Sequence, residues 1–311
     1  MLWFSRELKW AIGFDALSGK AAVVGFLVIS GYSIGASMDR SETGFYRRRF
    51  LRIYPLYFFA ILFAVVLEVS SGGHVHLPNQ NVDSLGWTSW LGNFLLLQTF
   101  LVKPIQFDGP VWSLSIEVFF YILAPYFKRV PSRYLVSLIA FSGVCFLLPK
   151  HYDWGAVYWA LSKFNALEYL WCWLLGFLLW RQSGTLVYVC LVGGGVLVYF
   201  GSATPEPFSC VTYLLTVALI VNSRRITMPK QLLMAGEYLG DISYPLYLFH
   251  LPGMIFVYLI LGMRSWFALV ASAITISVVA YHLIDRNLKR RFLTPLFFPR
   301  PKSTAPLESV A

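Results

Sequence analysis

Residues 54–70 read YPLYFFAILFAVVLEVS, and Glu68 is the one charged residue among them. About 20 mostly apolar residues in a helix cross the hydrocarbon core of a bilayer. The stretch therefore predicts a membrane-spanning helix, which sets the kind of fold to expect from the rest of the chain.

Eight more apolar runs with few charges follow this pattern. They lie near residues 20–37, 112–127, 133–149, 164–181, 185–201, 207–222, 243–262 and 266–284. A further run, 87–102, is interrupted by Gly92, Asn93 and Gln98, so it is either a short span or a segment that enters the membrane and returns. The pattern predicts an all-α polytopic membrane bundle of about nine to ten helices, forming one domain over residues 1–292.

Composition excludes an ordinary soluble domain. The chain has 311 residues, of which 58% are hydrophobic and 13% charged, whereas a soluble domain holds about 25% charged residues. The net charge of +10 is spread over short loops between apolar runs. The lipid bilayer is therefore the expected partner, and nucleic acid is not.

The basic residues indicate which loops face the cytoplasm, because cytoplasmic loops are enriched in Lys and Arg. If the 87–102 run does not cross, 18 of the 25 Lys and Arg residues fall on one side. This solution places the C-terminus inside, with a disordered cytoplasmic tail at 293–311. It also leaves the basic stretch 1–20 outside, which predicts that a helix is missing upstream.

An arginine block precedes the 54–70 run. Residues 46–55 read YRRRFLRIYP, and Pro55 is expected in the first turn of the span. The four guanidinium groups of Arg47, Arg48, Arg49 and Arg52 suit phosphate, because each offers a planar fork of donors. The alternative is a positive-inside anchor that contacts lipid headgroups.

A carboxylate lies inside a predicted span. Residues 108–121 read DGPVWSLSIEVFFY, a turn followed by a helix that carries Glu117. An ionisable group within a span is costly unless it faces a polar cavity or a partner, so Glu117 is a site candidate. The alternative is a structural hydrogen-bond network.

A histidine lies inside a later span. Residues 239–250 read LGDISYPLYLFH, where a cytoplasmic turn is expected to lead into the helix that carries His250. Imidazole is the side chain best matched to proton transfer near neutral pH. The alternative is a hydrogen bond between helices. His74 and His76 lie in a polar loop with no carboxylate at a ligand spacing, so no metal is expected.

Several blocks together resemble the acyltransferase type 3 family of integral membrane O-acyltransferases. AVVGFLVISGY at 22–32 is similar to the family's run ending in Ser-Gly-Tyr, and the arginine block is similar to the one before its Ile-Tyr-Pro. Asn93–Gln98 with the segment from Trp112 to Glu117 resembles its Trp-Ser-Leu-x-x-Glu signature. Residues 239–250 resemble its Gly-x-Ser-Tyr-x-x-Tyr-x-x-His block.

The resemblance also has departures. The family usually begins with a helix that carries an Asp-Gly-Leu-Arg start and a histidine regarded as catalytic, and no such segment precedes Ala21. The expected Glu-x-Pro near the end is replaced by Asp285, Arg286 and Asn287. The first departure agrees with the helix that the charge distribution predicts upstream.

The resemblance implies transfer of an acyl group, expected to be acetyl from acetyl-CoA, to a hydroxyl of a cell-surface polysaccharide, lipopolysaccharide or related glycan. The arginine block is then expected to bind coenzyme A phosphates, and Trp112, Ser113 and Asn93 to bind substrate. Glu117, His250, Tyr244 and Ser30 are the expected catalytic set. A flippase for a lipid-linked sugar and a catalytically inactive membrane partner are the alternatives.

Overall fold

Helices make up nearly all of the part of the protein that the structure describes. The computed structural model describes residues 19–77, 80–151, 165–181, 184–201, 207–223, 225 and 227–298. The helices, in chain order, are α1 (Gly19–Arg40), α2 (Phe45–Ser70), α3 (Trp87–Phe94), α4 (Trp112–Arg129), α5 (Ser132–His151), α6 (Asn165–Arg181), α7 (Thr185–Phe200), α8 (Pro207–Asn222), α9 (Lys230–Ile260), α10 (Trp266–Ala280) and α11 (Thr294–Phe297). A 3₁₀ segment, Gln106–Val111, precedes α4, and a π-helical segment, Tyr281–Leu293, joins α10 to α11.

The predicted helical membrane bundle is confirmed. Helices α1, α2 and α4 to α10 coincide with the nine predicted apolar runs. Among the residues that the structure describes, five stretches are long and apolar enough to cross a bilayer, namely Ala21–Arg40, Phe45–Ser70, Gln106–Arg129, Lys230–Ile260 and Trp266–Phe297. Shorter apolar helices at Ser132–Leu147, Thr185–Phe200 and Pro207–Asn222 accompany them. The chain is therefore a multi-pass membrane protein.

The interrupted run at 87–102 does not cross as a helix. Only α3 is helical there, and its 8 residues rise about 12 Å, far less than the roughly 30 Å of a bilayer core. Beyond it the backbone turns sharply, with positive φ at Leu96 and Thr99. The run is a short helix and a compact loop, which is the arrangement that the charge distribution favours.

Three helix boundaries differ from the sequence expectation. Helix α2 begins at Phe45, so the arginines lie within it and Pro55 is interior instead of in its first turn. Helix α9 begins at Lys230, so the expected turn at 239–242 is helical. Helix α11 extends to Phe297. The rest of the predicted tail, and residues 1–18, lie outside the described residues.

Helices α1 and α6 cross at very short distance. A Cβ added to Gly31 would lie 2.0 Å from the Trp173 carbonyl oxygen, and one added to Gly176 would lie 2.0 Å from that of Val28. Small residues allow such backbone contact between membrane helices. This crossing fixes the position of Ser30, the residue before Gly31.

Polar contacts tie one end of the bundle together. Lys128 Nζ at the end of α4 lies 2.6 Å from Glu42 Oε1, in the loop between α1 and α2. The hydrogen bond from Lys128 lowers the pKa of the Glu42 carboxyl. Trp180 Nε1 in α6 donates to Asp39 Oδ2 at 2.6 Å. The ends of α1, α4 and α6 therefore meet at the face predicted to be cytoplasmic.

A small hairpin caps the opposite end of α2. Strands β1 (His74–Leu77) and β2 (Gln80–Asp83) pair antiparallel, with His74 opposite Asp83 and His76 opposite Asn81. The buried Glu68 of α2 accepts hydrogen bonds from Trp90 Nε1 at 2.8 Å and from Ser84 Oγ. The hairpin and the following loop are thereby held on the helix end.

Candidate active site

One cavity of about 920 Å³ runs through the interior of the bundle. Its wall includes both Gly240 and Met254 of α9, which are separated along the helix by about 21 Å. Arg52 lines it from the second turn of α2, while Gly109 and Pro110 line it from the segment before α4. The cavity therefore extends along the helices, from the arginine end of α2 to the loop end of α4.

Glu117 lies in this wall within a hydrogen-bonded cluster. It is 4% exposed, and its Oε1 accepts hydrogen bonds from Ser30 Oγ at 2.8 Å and from the Tyr121 hydroxyl. Glu117 and Tyr121 are one helical turn apart on α4, and Ser30 is supplied by α1 across the bundle. Both donors bind the same carboxylate oxygen, so neither occupies Oε2.

A guanidinium group lies beside this cluster. The Arg49 Cζ is 5.6 Å from the centroid of the Tyr121 ring and 5.8 Å from that of Phe45, within the range of cation–π contact. Arg49 Nε is buried and has no hydrogen-bond partner. A positive charge is thus held close to the phenol that donates to Glu117.

His250 lines the same cavity, and its hydrogen bonds fix the tautomer of its ring. Its Nδ1 lies 2.8 Å from the Tyr247 carbonyl oxygen and 3.1 Å from that of Leu246. Carbonyl oxygens only accept, so Nδ1 carries a proton and donates. In the neutral ring the lone pair is then on Nε2. Nε2 is therefore the ring nitrogen that can accept a proton.

Two tyrosines of α9 brace the cavity. Tyr247 OH lies 2.7 Å from Ser113 Oγ and donates to the Pro110 carbonyl oxygen. Tyr244 OH donates to the Ile53 carbonyl oxygen of α2 at 2.9 Å. Trp112, at the start of α4, packs its ring 5.3 Å from that of Tyr169. Of these residues, Tyr244, Ser113 and Trp112 were predicted from the sequence. Tyr247 and Tyr169 were not.

The structure separates the four arginines by position. Arg52 lines the cavity, whereas Arg48 donates to the carbonyl oxygens of Thr43 and Ser41 at 2.5 Å each and so fixes the loop before α2. Arg49 faces Tyr121, and Arg47 is exposed outside the cavity wall. Of the four arginines, Arg52 is the one that lines the cavity.

Asn93, which was predicted to bind substrate, lies apart from the cavity. Asn93 is fully buried and does not line the cavity. Its Nδ2 donates to the carbonyl oxygens of Ser89 at 2.8 Å and Lys103 at 2.9 Å, and its Oδ1 accepts from Ile105 N at 3.0 Å. The amide therefore holds α3 and the loop that follows it together.

Tyr121 and Tyr247 join the site although neither was chosen from the sequence. Tyr121 is four residues after Glu117, and Tyr247 is three residues before His250. Side chains at these spacings share one face of a helix. This spacing was the signal by which both could have been found. Among the residues that the structure describes, no group of three or more His, Cys, Asp or Glu side chains is arranged for a metal ion.

The bundle and its cavity define a multi-pass membrane protein that presents a carboxylate, an imidazole and a guanidinium to one internal space. Residues 1–282 match the family model described as an acyltransferase domain. The chain therefore belongs to the acyltransferase type 3 family and is a membrane acyltransferase.

Curated relatives agree with this assignment. Acyltransferase MdmB of Streptomyces mycarofaciens is 26% identical, over 93% of this chain and 84% of its own. A protein named as the membrane-bound transacylase BcsY, of Komagataeibacter xylinus, is 25% identical over 84% of this chain and 74% of its own. ORF330 of Acidianus two-tailed virus, named as an acetyltransferase, is 22% identical over 73% and 68%. No solved structure matches the chain significantly.

Proposed function

We propose that this acyltransferase moves an acetyl group from acetyl-CoA to a hydroxyl of a cell-surface polysaccharide, lipopolysaccharide or related glycan at the bacterial plasma membrane. The observation that carries the proposal is the single cavity that joins Arg52 to Glu117 and His250. The phosphates of the donor suit the arginine end of the cavity, and the hydroxyls of the acceptor suit the end near the start of α4.

The donor binds at the arginine end in this scheme. Arg52 offers a guanidinium fork to the phosphates of coenzyme A, and the cavity lets the thioester extend toward Glu117. The first half of α9, next to this end, is exposed from Lys230 to Asp241. The acyl group therefore enters from the face that the charge distribution predicts to be cytoplasmic.

The acceptor binds near the start of α4. Glu117 Oε2 accepts a hydrogen bond from a second hydroxyl of the acceptor, next to the one that reacts, and Trp112 and Ser113 contact the sugar. His250 Nε2 takes the hydroxyl proton as the oxygen attacks the thioester carbon. The C–S bond then breaks, and the proton passes from His250 to the leaving coenzyme A sulfur, so the histidine is unchanged after one turnover.

Replacing Arg52 by Ala is expected to raise the KM for acetyl-CoA about tenfold or more with little change in kcat. A hydrogen bond to a charged group contributes about 1.5–3 kcal/mol, and Arg52 is the arginine of its block that lines the cavity. Steady-state kinetics in detergent measure this. Arg47→Ala is the matched control, since Arg47 is exposed outside the cavity wall. Equal effects of the two variants would contradict the assignment.

Replacing His250 by Gln is expected to lower kcat by about 10²–10⁴, the usual contribution of a general base. Gln retains a polar side chain of similar length but accepts no proton at neutral pH. His282→Gln is the control, because His282 lies outside the cavity wall. Unchanged kcat in His250→Gln would assign the imidazole to helix packing instead.

The proposal is tested with purified protein in vesicles that contain lipid-linked and surface glycans. Radiolabelled acetyl-CoA is added, and label in the glycan fraction is counted. Label that depends on Glu117 and His250 supports acetyl transfer. Transfer from another acyl-CoA with none from acetyl-CoA would overturn the donor assignment. Glycan crossing the bilayer without any label would favour the transport alternative.

A further inference from the structure

The hairpin outside the acyltransferase cavity places two imidazoles against each other. His74 and His76 alternate by two along β1 and so project from the same face of the hairpin. Their Nε2 atoms are 3.1 Å apart and their ring planes lie at 85°. The His74 and Asp83 side chains are 50% and 55% exposed, so the pair is open to solution.

The other ring nitrogens are held by residues of β2. His74 Nδ1 contacts the Asp83 carboxylate, and His76 Nδ1 lies 2.7 Å from Asn81 Oδ1. Both partners are oxygens that accept hydrogen bonds, so each Nδ1 is the protonated nitrogen. Cross-strand register supplies both contacts, because His74 is directly opposite Asp83 and His76 directly opposite Asn81.

The arrangement of the two rings favours a cation between them. With both Nδ1 atoms protonated, two neutral imidazoles would direct the lone pairs of their Nε2 atoms at each other across 3.1 Å. Two lone pairs repel at that separation unless a positive species lies between them. A cation between the two Nε2 atoms would remove this repulsion.

We propose that His74 and His76 bind a divalent transition-metal ion, of the type of Zn²⁺, through their Nε2 atoms. Zinc–nitrogen bonds of about 2.0–2.1 Å would span the observed separation at an N–Zn–N angle of about 98°, close to the angles of tetrahedral and octahedral sites. Imidazole is a preferred ligand of Zn²⁺, Cu²⁺ and Ni²⁺.

Asp83 and Asn81 act as outer partners of this site. A metal-bound histidine commonly donates its second ring N–H to a carboxylate or carbonyl oxygen, which fixes the ring and raises its basicity. His74 with Asp83 and His76 with Asn81 both have this form. The two histidine nitrogens are then the protein ligands, and solvent fills the other coordination positions. No group of three or more ligating side chains occurs in the part of the chain that is described.

The site is linked to the acyltransferase cavity through one residue. The Asp83 backbone N–H donates to Gln106 Oε1 at 2.9 Å. Gln106 begins the 3₁₀ segment, and Gly109 and Pro110 of that segment line the cavity. The proposed ion would stabilise the hairpin that supports this wall, and its binding does not depend on the identity of the donor or acceptor.

Zinc titration of tag-free, full-length protein in detergent, followed by calorimetry, tests the proposal. We expect one site in the wild type, its loss in both His74→Ala and His76→Ala, and about tenfold weaker binding in Asp83→Asn, since loss of an outer partner costs 10- to 100-fold. His282→Ala is the control and should bind as the wild type does. Circular dichroism of each variant checks that the helices are retained.

The alternative occupant is a proton shared by the two rings. If the folded wild type takes up no zinc, the pair is an imidazole–imidazolium hydrogen bond and the proposal is overturned. Zinc binding that persists unchanged in both single His variants would also overturn it. Zinc binding that is lost in the two His variants but normal in Asp83→Asn would support the two ligands. It would also show that Asp83 is not an outer partner of the site.

Discussion

Glu117→Gln is expected to lower kcat/KM for acyl transfer by about 10²-fold while the protein remains folded, because a hydrogen bond to a charged group contributes up to about 3 kcal/mol. Glutamine keeps an oxygen that can accept from Ser30 and Tyr121, which are the two donors to Glu117 Oε1. It replaces the other carboxylate oxygen by an amide that donates. The variant therefore removes the charge and the free acceptor without opening the cluster, and steady-state transfer assays measure the loss.

Glu237→Gln provides the matched control. Glu237 is an exposed carboxylate on the first half of α9 and does not line the cavity, so the same chemical change there should leave kcat/KM unaltered. Full activity in Glu117→Gln would assign Glu117 to a structural network, which is the alternative reading of a carboxylate within a span. Lost activity accompanied by lost helicity would point the same way.

Gly176→Ala is expected to destabilise the bundle by about 1–3 kcal/mol or more, as overpacking of a tight core does. The new Cβ would lie 2.0 Å from the Val28 carbonyl oxygen, whereas favourable contacts lie near 3.5–4.0 Å. Helices α1 and α6 must separate to accommodate it. We expect the midpoint of thermal unfolding to be lower by about 3–10 °C. Unfolding is measured by thiol labelling of Cys172, which is buried in the folded protein.

The control for this variant is Gly193→Ala in α7. A Cβ at Gly193 meets no atom within 4 Å, and alanine favours a helix by about 0.8–1.0 kcal/mol over glycine. The midpoint should then stay level or rise. Equal midpoints for the two variants would show that the α1–α6 crossing adapts, and that it does not determine the position of Ser30.

Much of the site was accessible from the sequence because its residues repeat at helical spacing. Glu117 and His250 stand out as ionisable groups in apolar runs, and both line the cavity. Asn93 attracted the same reasoning, yet it lies in the last turn of α3, next to a loop whose backbone groups lack helical partners. A side-chain amide there is used by the loop itself, and sequence spacing does not distinguish that use from ligand binding.

The arginine block shows a related limit. Its four guanidinium groups look alike in sequence, but successive residues of a helix point about 100° apart. Only one of them faces the cavity, and another is used to fix the preceding loop. The boundaries of α2 and α9 were also placed too late, because hydropathy marks the apolar part of a helix, whereas backbone hydrogen bonds continue into its polar ends.

The sequence by itself determined the membrane bundle and the positions of its helices, because apolar runs of this length have one stable arrangement in lipid. It also predicted several of the residues that line the cavity. Only the tertiary structure decided that Ser30 reaches Glu117, 87 positions along the chain, and that His74 faces Asp83 across the hairpin. Such pairs depend on helix crossing and strand register, which are set by packing between segments and have no local signal.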